Sequence, residues 1–261
     1  MRRFSADYLA HTRRGLWEDR TALEPLRLAG RRRILDVGCG TGALTRVLRE
    51  ESGAVVVGLD ADRRLLAEVE PPTVLGDATR LPIGDGAVDL VVCQALLVNL
   101  PTPLDAVDEF SRASSDLVAV VEPDNAAVEV ESTVEAEGSL SERARESYVA
   151  GVSTDVTLGS AVADLFEEAG LESVQTTRHE HRKSVEPPYD DVALAGAARK
   201  ASAERLDEQR ETLLAGGMDV ADYDDFRGDW RAMGRAVVDQ MRAGEYERTE
   251  TVPFYVTVGW V

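Results

Sequence analysis

The sequence of 261 residues has few of the features that mark secreted or membrane proteins. Its two cysteines, Cys39 and Cys93, are too few for a disulfide framework. No apolar run approaches the ~20 residues that span a bilayer. The basic residues at the N-terminus are not followed by the apolar stretch of a secretory signal. We therefore expect a cytoplasmic protein in which each cysteine is a small buried thiol.

Lysine is also scarce. Only two of the 29 basic residues are lysines, and 48 acidic residues bring the net charge to −19. Such a surface repels nucleic acid and anionic lipid at ordinary ionic strength, so we expect neither as a partner. The composition resembles that of proteins from halophiles, whose molar salt shortens the Debye length to ~3 Å. We interpret the charge as a solvation feature rather than a binding surface.

Short apolar runs alternate with amphipathic stretches along most of the chain. Strands are predicted at Ile34–Val37, Ala54–Asp60, from Thr73, within Ala87–Val98, at Asp116–Asn125, at Leu171–Arg182 and over the last ten residues. Helices are predicted within the first 30 residues, at Ala43–Glu50, after Asp60, at Pro103–Ser114 and at Ser160–Ala169. This alternation predicts an α/β fold of right-handed βαβ units, with helices on both faces of a parallel sheet.

A polar helical stretch, about Asp190–Glu247, separates the last two predicted strands. Within it, apolar residues recur every three or four positions and form one stripe on one helix: Tyr223, Phe226, Trp230, Met233, Val237 and Met241. We favour packing of this stripe on the sheet or on a neighbouring helix. The alternative is a lid over a substrate pocket, with Trp230 or Phe226 contacting the substrate.

The chain is expected to form a single domain. Its predicted parts are an N-terminal helical cap (1–30), a cofactor-binding core (31–186), the helical insertion or lid (187–250) and the terminal strand (251–261).

A glycine-rich turn, DVGCGTGA, follows the first predicted strand. Glycines at 38, 40 and 42 allow positive φ and leave no Cβ to block a ligand. Gly38, Gly40 and Ala43 also satisfy the dinucleotide spacing G-x-G-x-x-G/A. The turn by itself is therefore compatible with an NAD site or with another nucleotide-like ligand.

Three acidic residues lie at or just after the ends of neighbouring predicted strands. Asp36 precedes the glycines, where a carboxylate suits a cationic group better than a pyrophosphate. Asp60 closes the second strand and can accept hydrogen bonds from ribose hydroxyls, as the acid of NAD enzymes also does. Asp77 follows the third strand, where an adenine amino group could donate to it and the Ala78 backbone N–H could reach a ring nitrogen.

With these motifs in order, the sequence resembles the class I S-adenosylmethionine-dependent methyltransferases that act on small molecules. The resemblance rests on ILDVGCGTGALT, VVGLDAD, GDATRLP and VDLVVCQALL, between about Arg31 and Asn125. It implies a Rossmann-like, seven-stranded, mostly parallel sheet with an antiparallel last strand, and the helical stretch read from the sequence is then an insertion before that strand. It also implies S-adenosyl-L-methionine as the cofactor; the residues themselves indicate no metal site.

The resemblance further implies roles for individual residues. Asp36 would lie near the methionine ammonium, with the turn under the methionine and ribose, and Asp60 would bind the ribose diol. Gln94 and Ala95 would line the sulfonium side. The complete implied cofactor site is Asp36, Gly38, Cys39, Gly40, Gly42, Asp60, Ala61, Asp77, Ala78, Gln94 and Ala95.

The cofactor's carboxylate needs a cationic or N–H partner. Arg14 is the candidate, with Tyr8 and Trp17 covering the cofactor, although exposed helix residues are the simpler interpretation. His11 is a candidate general base for a protonated acceptor, against the simpler interpretation of a surface histidine.

Residues at the carboxyl ends of the fourth and fifth strands have no assigned role in the sequence. Asn99, Glu122 and Asp124 are pocket candidates there, because ligands of open α/β sheets bind at that edge. No catalytic residue is assigned. His179 and His181 would share one face of a strand, which we interpret as solvated rather than metal-binding because no third ligand is nearby.

The sequence thus predicts an enzyme that moves a methyl group to a small-molecule acceptor by in-line displacement. One alternative is an NAD-type oxidoreductase, although the Tyr-x-x-x-Lys pair of many such enzymes is absent from the sequence. The other is a non-catalytic S-adenosylmethionine-binding protein. Neither the acceptor nor the oligomeric state follows from the sequence.

Overall fold

Eight strands and nine α-helices are found in the computed structural model, which describes Leu9, Thr12, Arg13 and residues 15–261. The strands are β1 (Arg33–Val37), β2 (Val55–Asp60), β3 (Thr73–Leu75), β4 (Val88–Gln94), β5 (Ser114–Pro123), β6 (Glu129–Ser132), β7 (Glu172–Val185) and β8 (Arg248–Trp260). The helices are α1 (Ala43–Glu51), α2 (Arg63–Leu66), α3 (Pro103–Ala113), α4 (Glu135–Gly151), α5 (Val162–Glu168), α6 (Asp191–Ser202), α7 (Glu204–Glu208), α8 (Arg210–Ala215) and α9 (Val220–Ala243).

The chain divides into two compact units. The first comprises the residues up to Asp124 with Leu158–His179 and Phe254–Val261; the second comprises Asn125–Thr157 and Glu180–Pro253. The domain boundaries expected from the sequence stay a prediction. Within the described residues, no helix is both long and apolar enough to cross a membrane.

The first unit is built on a parallel sheet in the order β3-β2-β1-β4-β5. The Phe254–Trp260 part of β8 then pairs antiparallel with β5, Leu117 lying opposite Trp260. This confirms the mostly parallel Rossmann-like sheet with an antiparallel last strand. The strand count is eight rather than seven, because in the second unit β6 adds an antiparallel pairing to the Arg248–Thr251 part of β8.

Alternate residues of the central strands pack into different clusters. Leu35, Val91 and Cys93 belong to the cluster that contains Phe110 of α3. Ile34, Leu90, Val92 and Leu48 of α1 belong to a second cluster. Successive strand residues point to opposite faces, so strands covered on both sides read as continuous apolar runs in the sequence.

Two predicted helical regions differ from expectation. In the N-terminal part, the described elements between residues 21 and 30 are 3₁₀ helices, Thr21–Leu26 and Leu28–Gly30. Pro25 lies inside the first of them and has no N–H to donate to an α-helical hydrogen bond. After Asp60, the helix α2 has only four residues, with Asp62 accepting a hydrogen bond from Arg64 N at its start.

The second unit has its own core, centred on α9. The buried residues of α9 include all six members of the predicted stripe, which confirms one helix with one apolar face. A Cβ on Gly234 of α9 would lie 2.4 Å from the backbone of α6 at Ala201, so glycine allows the two helix backbones to approach closely. Packing on a neighbouring helix, the interpretation we favoured, accounts for the stripe.

A buried ionic network also lies in the second unit. Glu137 is fully buried; its carboxylate accepts hydrogen bonds from Ser132 Oγ at 2.7 Å and Tyr246 Oη at 2.9 Å, and it pairs with Lys200 and Arg248. Burial raises the pKa of Glu137, but the charges of Lys200 and Arg248 prevail and hold that pKa below its usual value. The carboxylate is therefore ionised in the folded chain near neutral pH.

Candidate functional site

The glycine turn connects β1 to α1 within five residues. Gly38, Gly40 and Gly42 have φ values of 68°, 56° and 78°, in the left-handed region that favours glycine. A Cβ on Gly38 would lie 2.9 Å from Leu96 Cδ1, closer than ordinary packing allows. The positive φ values for which the sequence predicted glycines are thus present in the backbone of this turn.

Asp60 is tied to the turn by two hydrogen bonds. Its Oδ2 accepts the backbone N–H of Gly40 at 2.9 Å, and its Oδ1 accepts that of Asp62 at 2.8 Å. The side chain is 8% exposed. Each oxygen accepts one N–H and has a second lone pair, so the carboxylate is oriented and can still accept hydroxyl groups.

Asp36 lies in the interior at the end of β1. It is 1% exposed, and its Oδ2 accepts a hydrogen bond from Thr45 Oγ1 of α1 at 2.6 Å. Burial raises the pKa of Asp36 to about 7, although the Thr45 hydrogen bond and the charge of Arg13 act to lower it. A nearby cation would therefore favour the ionised carboxylate.

The end of β3 adjoins the end of β2, because Gly76 N donates to the Asp60 carbonyl at 3.1 Å. The next residue, Asp77, is exposed, and its Oδ1 accepts hydrogen bonds from Thr79 N and Thr79 Oγ1, both at 2.9 Å. Ala78 is buried and Ala61 is exposed. The carboxylate of Asp77 thus also holds its own turn, a contact that the sequence interpretation did not include.

The end of β4 is held in an unusual conformation. Ala95 has a φ of 48°, which costs a residue with a Cβ on the order of 1 kcal/mol or more. Its N–H donates to the Val121 carbonyl of β5 at 2.8 Å. The neighbouring Gln94 is buried, and its Oε1 accepts the Trp17 indole N–H at 3.1 Å.

Glu122 at the end of β5 is the third buried acid of the first unit. Its Oε1 accepts the backbone N–H groups of Leu96 and Leu97 at 2.8 and 2.7 Å, which fixes the loop after β4. Burial raises the pKa of Glu122 to about 8, against the effect of these hydrogen bonds. The second oxygen, Oε2, is buried and has no hydrogen-bond partner among the described residues.

The other two strand-end candidates differ in their surroundings. Asn99 donates its Nδ2 to the Ala95 carbonyl at 2.8 Å, while its buried Oδ1 finds no partner in the described part of the chain. Asp124 is half-buried, and its Cβ would lie 3.0 Å from a Cβ on Gly159. Residue type at a strand end predicted the position of these groups but not their environment.

Arg13 is the site residue that sequence reasoning missed. Its Nη2 donates to the Gln94 carbonyl at 3.4 Å, and its Nη1 would lie 3.1 Å from a Cβ on Gly40. Burial lowers the pKa of Arg13, while the charges of Asp36, Asp60 and Glu122 raise it. Tyr8, His11 and Arg14, which we named from the sequence, lie outside the described residues. The four-residue spacings from Leu9 to Arg13 and from Arg13 to Trp17 were the available signal.

Both cysteines are small buried thiols, as expected. Cys39 and Cys93 are free, and burial raises the pKa of each thiol. Cys39 also donates its backbone N–H to the Leu59 carbonyl at 3.0 Å, which holds the glycine turn against β2. Neither side chain is available as a thiolate nucleophile.

The histidines near the end of β7 are not a solvated pair. His179 stacks on Phe254 with ring centroids 5.4 Å apart, and His181 is 8% exposed. The solvated interpretation is therefore wrong for His181, because the strand buries that side chain. Among the described residues, no three His, Cys, Asp or Glu side chains are grouped so as to hold a metal ion.

A family comparison covers most of this site. Residues 35–116 match a family model described as a methyltransferase domain. That range includes the glycine turn and the ends of β2, β3 and β4. The central part of the candidate site therefore lies in a region that is similar to a methyltransferase domain. S-adenosylmethionine is the cofactor of such a domain.

Several curated proteins resemble part of this chain. A demethylmenaquinone methyltransferase of Mycobacterium tuberculosis is 35% identical over 98 residues, which are 36% of this chain and 42% of that protein. Methyltransferase GfsG of Streptomyces halstedii is 28% identical over 125 residues, 38% of this chain and 45% of that protein. This chain therefore spans less than half the length of either relative.

Solved structures with methyltransferase-like folds cover more of the chain. A proposed methyltransferase from Bacillus halodurans has a TM-score of 0.53 and 14% identity, over 92% of this chain and 97% of that one. The YcgJ protein from Bacillus subtilis has a TM-score of 0.51 and 13% identity, over 91% and 95%. At sequence identities of 13 and 14%, the similarity to these two structures shows a shared fold and nothing further.

The described acidic residues fit S-adenosylmethionine in charge. The cofactor has an ammonium and a sulfonium, which buried carboxylates favour, and a ribose diol that can donate to Asp60. An NAD pyrophosphate is anionic, and buried acids such as Asp36 disfavour an anion, so the same surroundings suit NAD less well.

Proposed function

We propose that the whole protein transfers a methyl group from S-adenosylmethionine to a small molecule. The observation that carries this proposal is the hydrogen bond between Asp60 and the backbone of Gly40. It fixes a carboxylate that can accept hydrogen bonds from a diol against the glycine turn, which follows the buried Asp36. This combination suits a cationic nucleoside ligand. The cofactor supplies the reactive methyl carbon when bound, and the protein's task is to hold acceptor, methyl and sulfur in line.

The proposed cofactor contacts follow the family motifs. Asp36 faces the ammonium, Asp60 binds the ribose hydroxyls, and Gln94 and Ala95 line the sulfonium side. Ala61 lies beside the adenine, with Asp77 and Ala78 at the adenine edge. Gly38, Cys39, Gly40 and Gly42 form the floor through their backbone. The engagement of Asp77 with Thr79 leaves Asp77 Oδ2 as the oxygen for an adenine amino group.

The acceptor is proposed to be a small molecule without a strong negative charge. The net charge of −19 disfavours polyanions such as nucleic acid. The names of the curated relatives, demethylmenaquinone methyltransferases among them, support a small apolar acceptor. Leu97, Val98 and Phe226 do not add to this support, because all three pack in hydrophobic cores.

A calorimetric titration tests the cofactor assignment. The purified protein in molar KCl is titrated with S-adenosylmethionine, S-adenosylhomocysteine and NAD. We expect micromolar affinity for the first two and none for NAD. Binding of NAD alone would overturn the proposal in favour of an oxidoreductase. Turnover with a panel of quinol, phenol and amine acceptors then distinguishes an enzyme from a cofactor-binding protein.

We also propose that the protein works in a cytoplasm of high salt concentration. The support is compositional: two lysines, 48 acidic residues and no disulfide framework. An acidic surface of this kind repels itself in dilute buffer and is screened in molar salt.

A further inference from the structure

Three side chains near the N-terminus cover the cofactor site. Leu9 Cδ1 and Arg13 Nη1 would lie 2.9 and 3.1 Å from a Cβ on Gly40. Arg13 donates to the Gln94 carbonyl at 3.4 Å, and Trp17 donates to the Gln94 Oε1 at 3.1 Å. These contacts lie on the surface of the turn and of Gln94 that a bound cofactor would need.

The covered groups are almost completely sealed. Asp36, Asp60, Gln94 and Glu122 have exposures of 1, 8, 5 and 0%. Leu9 and Trp17 are each only 6% exposed, so they are packed into the site rather than resting loosely above it. A ligand the size of S-adenosylmethionine therefore cannot reach Asp36 or Gln94 until these side chains move.

Arg13 also supplies the charge that the site requires. Its guanidinium lies against Gln94 and the glycine turn, and the charges of Asp36, Asp60 and Glu122 raise its pKa against the effect of burial. The ammonium and sulfonium of the cofactor would interact with the same acids. Two cations close together in a buried site repel each other, so Arg13 and the cofactor cannot both occupy it at low cost.

We propose that Leu9, Arg13 and Trp17 form an internal plug, in which Arg13 takes the place of the cofactor's cation and must leave before the cofactor binds. This inference rests on the proposed function. The plug keeps the acids neutralised and the turn packed in the free protein. Because only the molecules with an open site can bind the cofactor, the apparent affinity is the affinity of the open site multiplied by the fraction of molecules in which the site is open.

In the competing hypothesis, Arg13 binds the carboxylate of the cofactor. The two roles predict opposite changes. Loss of a plug residue strengthens cofactor binding, while loss of a carboxylate partner weakens it. Leu9→Ala sharpens the distinction, because it loosens the plug and leaves every charge in place.

The experiment compares calorimetric affinities for S-adenosylmethionine and S-adenosylhomocysteine in the wild type, Arg13→Met, Leu9→Ala and a control, Arg46→Met. Arg46 is exposed on α1, and its Nη1 donates to the Thr41 carbonyl, so its loss removes the same charge near the turn without touching the plug. We expect affinities about fivefold tighter or more in the first two variants and unchanged in the control. Equal or weaker binding by Arg13→Met and Leu9→Ala overturns the plug.

A second readout does not need a variant. Trypsin cleavage of the wild type at the bond after Arg13, followed by mass spectrometry, should become faster when S-adenosylhomocysteine is added. Protection of that bond would mean that the segment closes over the cofactor, which contradicts the plug. If no protein binds either nucleoside, the proposed function itself fails. If the wild type binds and the variants do not differ from it, only the plug fails.

Discussion

Asp60 Oδ2 accepts the Gly40 backbone N–H at 2.9 Å, so the acidic end of β2 and the glycine turn after β1 are fixed to each other. One carboxylate thereby serves both the backbone of the turn and the proposed ribose site. This double role makes substitutions at position 60 informative, because the charge can be removed together with one or with both acceptor oxygens.

Asp60→Ala and Asp60→Asn should therefore differ in stability but not in the sign of their effect on affinity. We expect both to weaken S-adenosylmethionine binding by roughly 1–3 kcal/mol, because the hydroxyl acceptors are lost or altered. Asp60→Ala should also lower the free energy of unfolding by about 1–3 kcal/mol, since the N–H groups of Gly40 and Asp62 both lose their acceptor. Asp60→Asn keeps one oxygen for one of these two N–H groups, so we expect a smaller loss. Calorimetry and urea unfolding measure the two effects. An unchanged affinity in both variants would remove the ribose assignment.

Cofactor affinity should rise with pH through the range in which Asp36 ionises. Its raised pKa of about 7 means that the free protein carries a neutral acid at pH 6 and a carboxylate at pH 8. A cationic ligand favours the carboxylate, so binding below pH 7 releases a proton and weakens by up to about tenfold per pH unit. Titrations at pH 6, 7 and 8 test this. Asp36→Asn should flatten the pH dependence, whereas Asp77→Asn should keep it; an equal slope in Asp36→Asn would contradict the assignment.

The buried Glu137 network should dominate the stability of the second unit. Glu137→Gln leaves Lys200 and Arg248 without their shared carboxylate, and we expect a loss of about 3 kcal/mol in the free energy of unfolding. The control is Glu204→Gln, which removes an exposed ion pair with Arg199 and should cost less than about 1 kcal/mol. Urea unfolding measures both. Equal losses would show that burial of the network adds nothing.

The same network predicts a loss of stability in acid. Burial raises the pKa of Glu250, but Arg248 and Lys183 lower it to about 2. A carboxyl with a depressed pKa in the folded state stabilises above its unfolded value of 4.5, and that contribution is lost as the pH falls towards 2. Thermal unfolding between pH 5 and 2.5 should show this decline. Glu250→Gln should reduce its steepness, and an identical pH profile would contradict the ionic assignment.

Thermal stability should increase steeply with salt if the acidic composition is an adaptation to high salinity. Screening of a net charge of −19 is expected to raise the unfolding temperature by roughly 10 °C between dilute buffer and molar KCl, which is about 3 kcal/mol for a chain of this size. Scanning calorimetry in a KCl series measures this. A flat response would reject the high-salt proposal.

Much of the fold could be predicted because its signals are local. The turn at Gly38–Gly42 needs positive φ values, which short-range sterics restrict largely to glycine. The stripe from Tyr223 to Met241 has the helical period, so one helix with one buried face was readable. The split into two units and the pairing of β6 with β8 could not be predicted from the sequence, because strand pairing between distant segments has no local signature.

The candidate site divides in the same way. The sequence by itself determined the strand–turn–helix and the acids at the strand ends, since each depends on residues close together in the chain. The family resemblance carried by these motifs then implied the kind of cofactor. Only the tertiary structure decided that Arg13 lies among these acids, that Glu122 holds the loop after β4, and that Ala95 adopts a left-handed conformation. The physical reason is that burial and charge at these positions come from segments 25 to more than 80 residues away along the chain, which meet only when the sheet forms.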